Sequence, residues 1–283
     1  MTRPRPSIAD KRRRFAELHR QGCFVIPNPW DIGSARWLQG LGFAALASTS
    51  SGMAWSLGQA DNHIGRDQAL AHLQALVEAT DVPVNADFEN GFAADANGVA
   101  ESVRLAVATG VAGLSIEDSS GDAERPLFSR DEAADRIRAA RAAIDQAGGD
   151  ALLVGRAECF LLGQPDLAET IRRLQAYAEA GADVLYAPGI KTREQITAVV
   201  AAVAPKPVNL LVGSDMGLSV ADIAALGVRR ISVGGAMARA AWAGFQRAAK
   251  GLIEQGRFDG FAGAASGAEL NAFFIGDAAA RAE

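Results

Sequence analysis

Four times in this chain an alanine- or leucine-rich run ends at glycine and gives way at once to a short apolar stretch: LGFAALAS (41–48), TGVAGLSIED (109–118), AGADVLYAP (180–188) and LGVRRISVGG (226–235). A glycine just past a helix C-terminus, followed by a buried strand, explains the phrase. A second phrase alternates with it, DVPVNAD (81–87) and PKPVNLLV (205–212), in which proline ends the preceding helix before the strand begins. FVIPN (24–28) and LLVGRAE (152–158) complete eight expected strands, starting near residues 24, 44, 83, 113, 152, 184, 207 and 229. Most intervals hold one amphipathic helix, for example 166–180. Eight β–α units in series, with strands apolar on both faces, predict a closed parallel (β/α)8 TIM barrel; an open doubly wound sheet would need no such regular count. The 283 residues suit one barrel domain (1–283), with a core over about 22–256 and a C-terminal helical tail over about 257–283. The apolar residues of that tail must bury somewhere, a neighbouring subunit being one place.

Net charge is −5, and no long basic patch exists, so nucleic acid is not an expected partner. The run Lys11–Arg14 lies on an expected first helix opened by Ser7 and Asp10, and reads as a solvated helix face. No segment is long and apolar enough to span a bilayer, and no apolar stretch of signal-peptide type follows the first arginines. The two cysteines, Cys23 and Cys159, lack metal-type spacing, which points to a reducing cytoplasm. Neither cysteine has a histidine near it in sequence. The histidines His19 and His72 fall in helical stretches and are expected at the surface; His63, after strand 2, is the one that could reach a site. No lysine sits at a strand end, which disfavours imine chemistry, and so few histidines disfavour zinc.

Chemistry in such barrels gathers at the carboxyl ends of the strands. There the sequence places Asn28 with Trp30-Asp31, STSSG (48–52) with Asp61, Asp87-Phe88-Glu89, Glu117-Asp118, Arg156-Ala157-Glu158, Ala187-Pro188, Asn209 with Gly213-Ser214, and Gly234-Gly235. Asp87 and Glu89 are two apart in VNADFENGF, so an extended chain would send both to one face. Five acids, Asp61, Asp87, Glu89, Glu117 and Asp118, are thus expected at one mouth with one arginine opposite. A hard divalent cation would relieve their repulsion, Mg²⁺ needing few direct carboxylates and Mn²⁺ being the alternative. Taken singly, each acid could instead cap a helix N-terminus.

These residues carry a resemblance. DVPVNADFENGF, GVAGLSIED, LLVGRAECF and AGADVL are similar, in order and spacing, to motifs of the isocitrate lyase/phosphoenolpyruvate mutase superfamily, over about residues 22–250. The resemblance implies metal-site acids at Asp87, Glu89 (where the family has a second Asp) and Glu117, and a carboxylate-binding arginine at Arg156. It further implies a substrate-holding Ser-Gly at Ser51-Gly52, with Trp30, Ser50 and Asn209 beside it, and catalytic roles for Asp61, Glu117 and Arg156. The family's lyases on isocitrate or methylisocitrate carry K-[KR]-C-G-H after strand 4. Here that loop reads SSGDAERPLFSRDE (119–132), with neither cysteine nor lysine, and a family histidine after strand 6 is replaced by Ala187-Pro188.

The expected activity is a Mg²⁺-dependent carbon–carbon lyase acting on a small 2-oxo or 2-hydroxy di- or tricarboxylate through an enolate. An oxaloacetate decarboxylase type is favoured, because decarboxylation needs the least proton machinery. Phosphonopyruvate hydrolysis or phosphorus–carbon mutation is the alternative within the family. A non-catalytic metabolite-binding barrel, or a phosphate site at Gly213-Ser214 and Gly234-Gly235, are alternatives outside it, those glycines reading equally well as tight turns. By family analogy the chain is a homo-oligomer, dimer or tetramer, exchanging C-terminal helices.

Overall fold

The computed structural model describes residues 5–282. Eight short strands, β1 (Phe24–Ile26), β2 (Leu46–Ala47), β3 (Val84–Asp87), β4 (Gly113–Glu117), β5 (Leu152–Arg156), β6 (Val184–Tyr186), β7 (Val208–Leu211) and β8 (Arg230–Ser232), alternate with helices. All pair in parallel, in the order β1-β8-β7-β6-β5-β4-β3-β2. The β1/β2 seam is joined by the Ala47 N–H donating to Pro27 O at 3.0 Å and by Asn28 Nδ2 donating to Ser48 O at 2.8 Å. The architecture is therefore the expected (β/α)8 barrel, with a further C-terminal helix. Among the described residues, no helix is long and apolar enough to cross a membrane.

The main core lies between barrel and helices, where Leu114, Ile116, Leu153 and Leu185 meet helix residues such as Val99, Ile137, Leu174 and Ile196. A second cluster closes the amino end of the barrel around Phe15, which is fully buried against Ile26, Ala45, Ala47 and Ala112. A Cβ on Gly113 would lie 2.9 Å from the Phe15 ring, so glycine in β4 is what admits this plug. Truncating such a ring typically costs about 3–5 kcal/mol.

The first helix (Ile8–Leu18) has the expected Ser7/Asp10 capping box, but its basic run is only partly a solvated face. Lys11 and Arg12 are buried: Lys11 Nζ donates to Val77 O (2.9 Å), and Arg12 donates to Val111 O (3.0 Å) and Val107 O (2.8 Å). Their ammonium and guanidinium groups thus satisfy carbonyls at or just past the ends of the helices Arg66–Ala79 and Ala96–Ala108, which a helix leaves unpaired. His19 is likewise buried rather than on the surface, edge-on to Phe15 and Phe24, with its Nδ1 against Phe15 O at 2.8 Å. His72 is half-buried.

The C-terminal helix (Gly267–Ala282) packs on the helix Ile32–Gly40 of its own chain. Phe273 stacks on Trp37 with centroids 4.5 Å apart, and Asp277 meets Arg36 at 3.3 Å. Phe258, Phe261 and Ile275 remain exposed.

Candidate active site

The row of in-register residues Glu117↔Arg156↔Tyr186↔Asn209↔Arg230 crosses five neighbouring strands. Residues in register on adjacent strands share a face, and four of these five line a central cavity of about 180 Å³. Asn85, Asp87 and Ser115 line it from β3 and β4, and Ser50, Ser51 and Asp61 from the loop and helix after β2. A larger groove, about 460 Å³, runs between Trp55 and Trp242 and holds none of the acids.

Of the two acids that line the cavity, Asp87 is the more firmly held. Its Oδ2 accepts from the Ser50 N–H and the Ser50 hydroxyl, both at 3.0 Å, and its Oδ1 accepts from Arg156 at 3.0 Å. Asp61 stands on the rim, 3.4 Å from the same Ser50 hydroxyl. Its carboxyl is raised above the ordinary range, first by loss of hydration among its neighbours and then by the charge of Asp87. Two carboxylates therefore share one hydroxyl.

Arg156 fills the place opposite the acids and is itself surrounded by them. It pairs with Asp87 at 3.0 Å, with Glu117 at 3.1 Å and with Glu158 through Nε. Its guanidinium lies 5.2 Å from the centre of the Tyr186 ring. Glu117 is buried behind Arg156 rather than lining the cavity, and burial pushes its carboxyl well above the usual range. Burial also raises the Tyr186 hydroxyl, to about 12, so it stays protonated at neutral pH.

With Glu117 set behind Arg156, three of the five acids part from the sequence expectation, Glu89 and Asp118 being the other two. Glu89 does not follow Asp87 onto its face, because β3 ends at Asp87 and Glu89 takes a left-handed backbone with φ 46°. The two-residue alternation holds only for extended chain. Glu89 lines a small adjoining cavity with His72, Phe92 and Asp87, which borders both cavities, and among the described residues its Oε1 has no hydrogen-bond partner. Burial, then the charges of Asp87 and Asp61, raise its carboxyl to about 8. Asp118 follows Glu117 on β4 and so points the other way: its carboxylate accepts from Arg173 (3.0 Å), the Tyr177 hydroxyl (2.6 Å) and the Glu158 N–H (2.8 Å). It braces helix against barrel.

Among the other expected residues, Ser50, Ser51, Asp61, Arg156 and Asn209 line the cavity, whereas Trp30, Gly52 and His63 do not. The Gly52 N–H is already taken by the Thr49 hydroxyl at 3.3 Å, and a Cβ there would stand 2.7 Å from Thr49 and 3.0 Å from Trp30. Gly52 therefore serves the packing of this turn. Among the described residues, no group of three or more His, Cys, Asp or Glu side chains is arranged to enclose a metal. Sequence reasoning assigned no role to Asn85, Ser115, Tyr186, Arg230 and Ser232. The available signal was a polar residue at alternate positions inside apolar strands, as in VNAD and RRIS.

The loop after β4 is tied to itself. Ser119 bridges Leu127, the Ser120 N–H donates to Pro126 O at 2.9 Å, and Ser129 caps the helix Arg130–Gln146. It brings no cysteine, lysine or histidine to the cavity.

An acid-and-arginine cavity at the carboxyl end of a parallel barrel is the arrangement of a barrel enzyme for small anionic substrates. Comparison with known proteins makes this specific. The chain belongs to the family described as phosphoenolpyruvate phosphomutase, whose model matches residues 15–253, and thereby to the isocitrate lyase/PEP mutase superfamily, whose members act on small 2-oxo and 2-hydroxy carboxylates. A solved structure from Burkholderia cenocepacia J2315, described only as a lyase/mutase, is 48% identical with a TM-score of 0.92, covering 95% of this chain and 97% of that one. The oxaloacetate decarboxylase of Paraburkholderia xenovorans LB400 is 32% identical over 230 residues, 78% of this chain and 74% of its own. An oxaloacetate acetylhydrolase solved with its product oxalate is 28% identical, with a TM-score of 0.83 over 96% of each chain.

Proposed function

We propose that this protein is a Mg²⁺-dependent carbon–carbon lyase for a small 2-oxo dicarboxylate, of the oxaloacetate decarboxylase type. The observation that carries the reading is the combination of a rigidly held Asp87 with a cavity lining that offers no cysteine, lysine or histidine. Retro-aldol cleavage and hydrolysis each need a group to move protons on the departing fragment. Loss of carbon dioxide leaves only the product carbon to protonate.

The donor set suits a largely hydrated hard cation better than a protein cage. Asp87 and Asp61 reach one hydroxyl, and the mutual charge that raises Asp61 is what a cation would relieve. Mg²⁺, with Mn²⁺ as the alternative, supplies Lewis-acid stabilisation of the charge left when the bond to C3 breaks, worth several kcal/mol. The chain's own residues do the rest. Ser50 and Arg156 fix the Asp87 carboxylate from both sides. Ser51 and Asn209 present polar groups to the bound acid, and the protonated Tyr186 closes the wall. Glu117 and Glu158 hold Arg156 in place from behind. The exposed apolar residues Phe258, Phe261 and Ile275 support a homo-oligomeric assembly.

The test is pyruvate release with Mg²⁺ from oxaloacetate, methylisocitrate, 2,3-dimethylmalate and phosphonopyruvate. Turnover of oxaloacetate, abolished by EDTA and inhibited by oxalate, is the expected result. Turnover of phosphonopyruvate in its place would favour the phosphorus–carbon chemistry that the family's description suggests. Stabilisation by oxalate with no turnover of any of the four would make the barrel a binder.

A further inference from the structure

The cavity contains two arginines in opposite electrostatic states. Arg156 meets three carboxylates, so its charge is already over-matched. Arg230, at the start of β8, is 2% exposed and forms no ion pair among the described residues. Its Nε donates to Asn209 Oδ1 at 2.8 Å and one Nη to Asn85 Oδ1 at 3.4 Å; among the described residues the second Nη has no partner. Both amides are turned so that their oxygens face the guanidinium. Asn209 Nδ2 donates to the Ser232 hydroxyl at 2.9 Å, and Asn85 Nδ2 to Ala86 O at 3.1 Å. Amide oxygens orient a guanidinium but do not neutralise it. A buried cation without a counter-ion is costly, and burial alone lowers the Arg230 pKa to about 10. The cost is understandable if an anion completes the site.

We propose that Arg230 recognises the distal carboxylate of a dicarboxylate substrate, one side-chain layer below the Asp87–Arg156 pair. The layers are set by β3: Asp87 contacts Arg156 and Asn85 contacts Arg230, two residues apart on one strand face, or roughly 7 Å. A four-carbon diacid spans that interval, with its 2-oxo or 2-hydroxy end among Asp87, Ser50 and Ser51 and its far carboxylate on the forked donors of Arg230. Ser115, Ser232 and Asn209 line the interval and offer polar contacts along it. A monocarboxylate of the same head group would leave Arg230 unpaired. The inference rests on the cavity's being the site for small carboxylates, and it makes Arg230 the residue that selects for two of them.

The experiment compares malate with lactate of matched configuration, which differ only in the distal carboxylate, by calorimetric titration with and without Mg²⁺. Wild-type protein is expected to prefer malate on the order of 10- to 100-fold, the range of one charge-assisted buried pair. R230Q should lose that preference while keeping its affinity for lactate, and R230K should restore part of it. Thermal melts of R230Q and R230K establish that both are folded; if R230Q is not, R230K alone must still reduce the malate preference. Equal affinity of wild type for malate and lactate, or an undiminished malate preference in the folded variants, would overturn the assignment. A retained malate preference alongside failure to release pyruvate from any substrate would defeat the lyase reading and leave the Arg230 subsite standing.

Discussion

The two ends of this barrel bury the same kinds of side chain to opposite effect. At the amino end, Lys11 and Arg12 reach carbonyls at or just past helix C-termini, and Arg12 also meets Asp150 at 2.8 Å. Each charge there ends on a group that the fold would otherwise leave unpaired, and Phe15 seals the space between. At the carboxyl end, charge is left over. Asp61 and Asp87 face one another across a hydroxyl and, among the described residues, the Glu89 Oε1 has no partner; one layer deeper in the same cavity Arg230 has no counter-ion among those residues. The difference separates stability from function: saturated buried charges hold a structure, and unsaturated ones await a ligand.

The contrast can be broken most severely at Asp87. D87A should lower kcat/KM by about 1,000-fold or more, as loss of a residue acting on developing charge does, with little change in melting temperature. Removing Mg²⁺ with EDTA should abolish turnover, measured as pyruvate release. At the other end, R12M should destabilise by about 3 kcal/mol, since several buried carbonyls lose a charged donor, yet leave kcat/KM intact. Denaturant melts and a kinetic assay on the same sample check both halves.

His19 tests the amino end by pH. Burial, then the charge of Arg230, lowers its folded pKa to about 3, against an ordinary 6.5. Between those values the unfolded chain binds the extra proton, so stability is full above pH 6.5 and is lost as pH falls toward 3. The loss between pH 6.5 and 5 should be about 2 kcal/mol, and H19F should flatten that part of the profile. The smallest effect is expected at Ser50. S50A removes the hydroxyl shared by Asp61 and Asp87, and should reduce kcat/KM by about tenfold and weaken Mg²⁺ binding in calorimetry, with Asp87 still held by the backbone N–H.

Much of this was legible in the chain. The glycine-then-strand phrase and the proline-then-strand phrase put six of the eight strands within about two residues of their observed starts, because glycine and proline act locally. Asp87, Arg156, Ser50 and Ser51 were legible as cavity residues because they sit at or just past strand ends, whereas Asp61 comes from the longer connection after β2 and Asn209 from within β7. The place of Glu117, which is buried behind Arg156, was not legible, and neither were those of Glu89 and Asp118. Glu89 lies past the end of its strand in a left-handed turn, and Asp118 is one step out of phase with its neighbour. Lys11 and Arg12 were misread because their partners come from residues scores of positions away.

The sequence by itself determined the number and kind of the elements and their parallel succession, since each depends on neighbours along the chain. Only the closed barrel decided which carboxylates meet, which arginine is already neutralised and which is not. Side-chain direction, strand register and burial arise between strands, so the electrostatic state of a group such as Arg156 or Arg230 exists only once the barrel has formed around it.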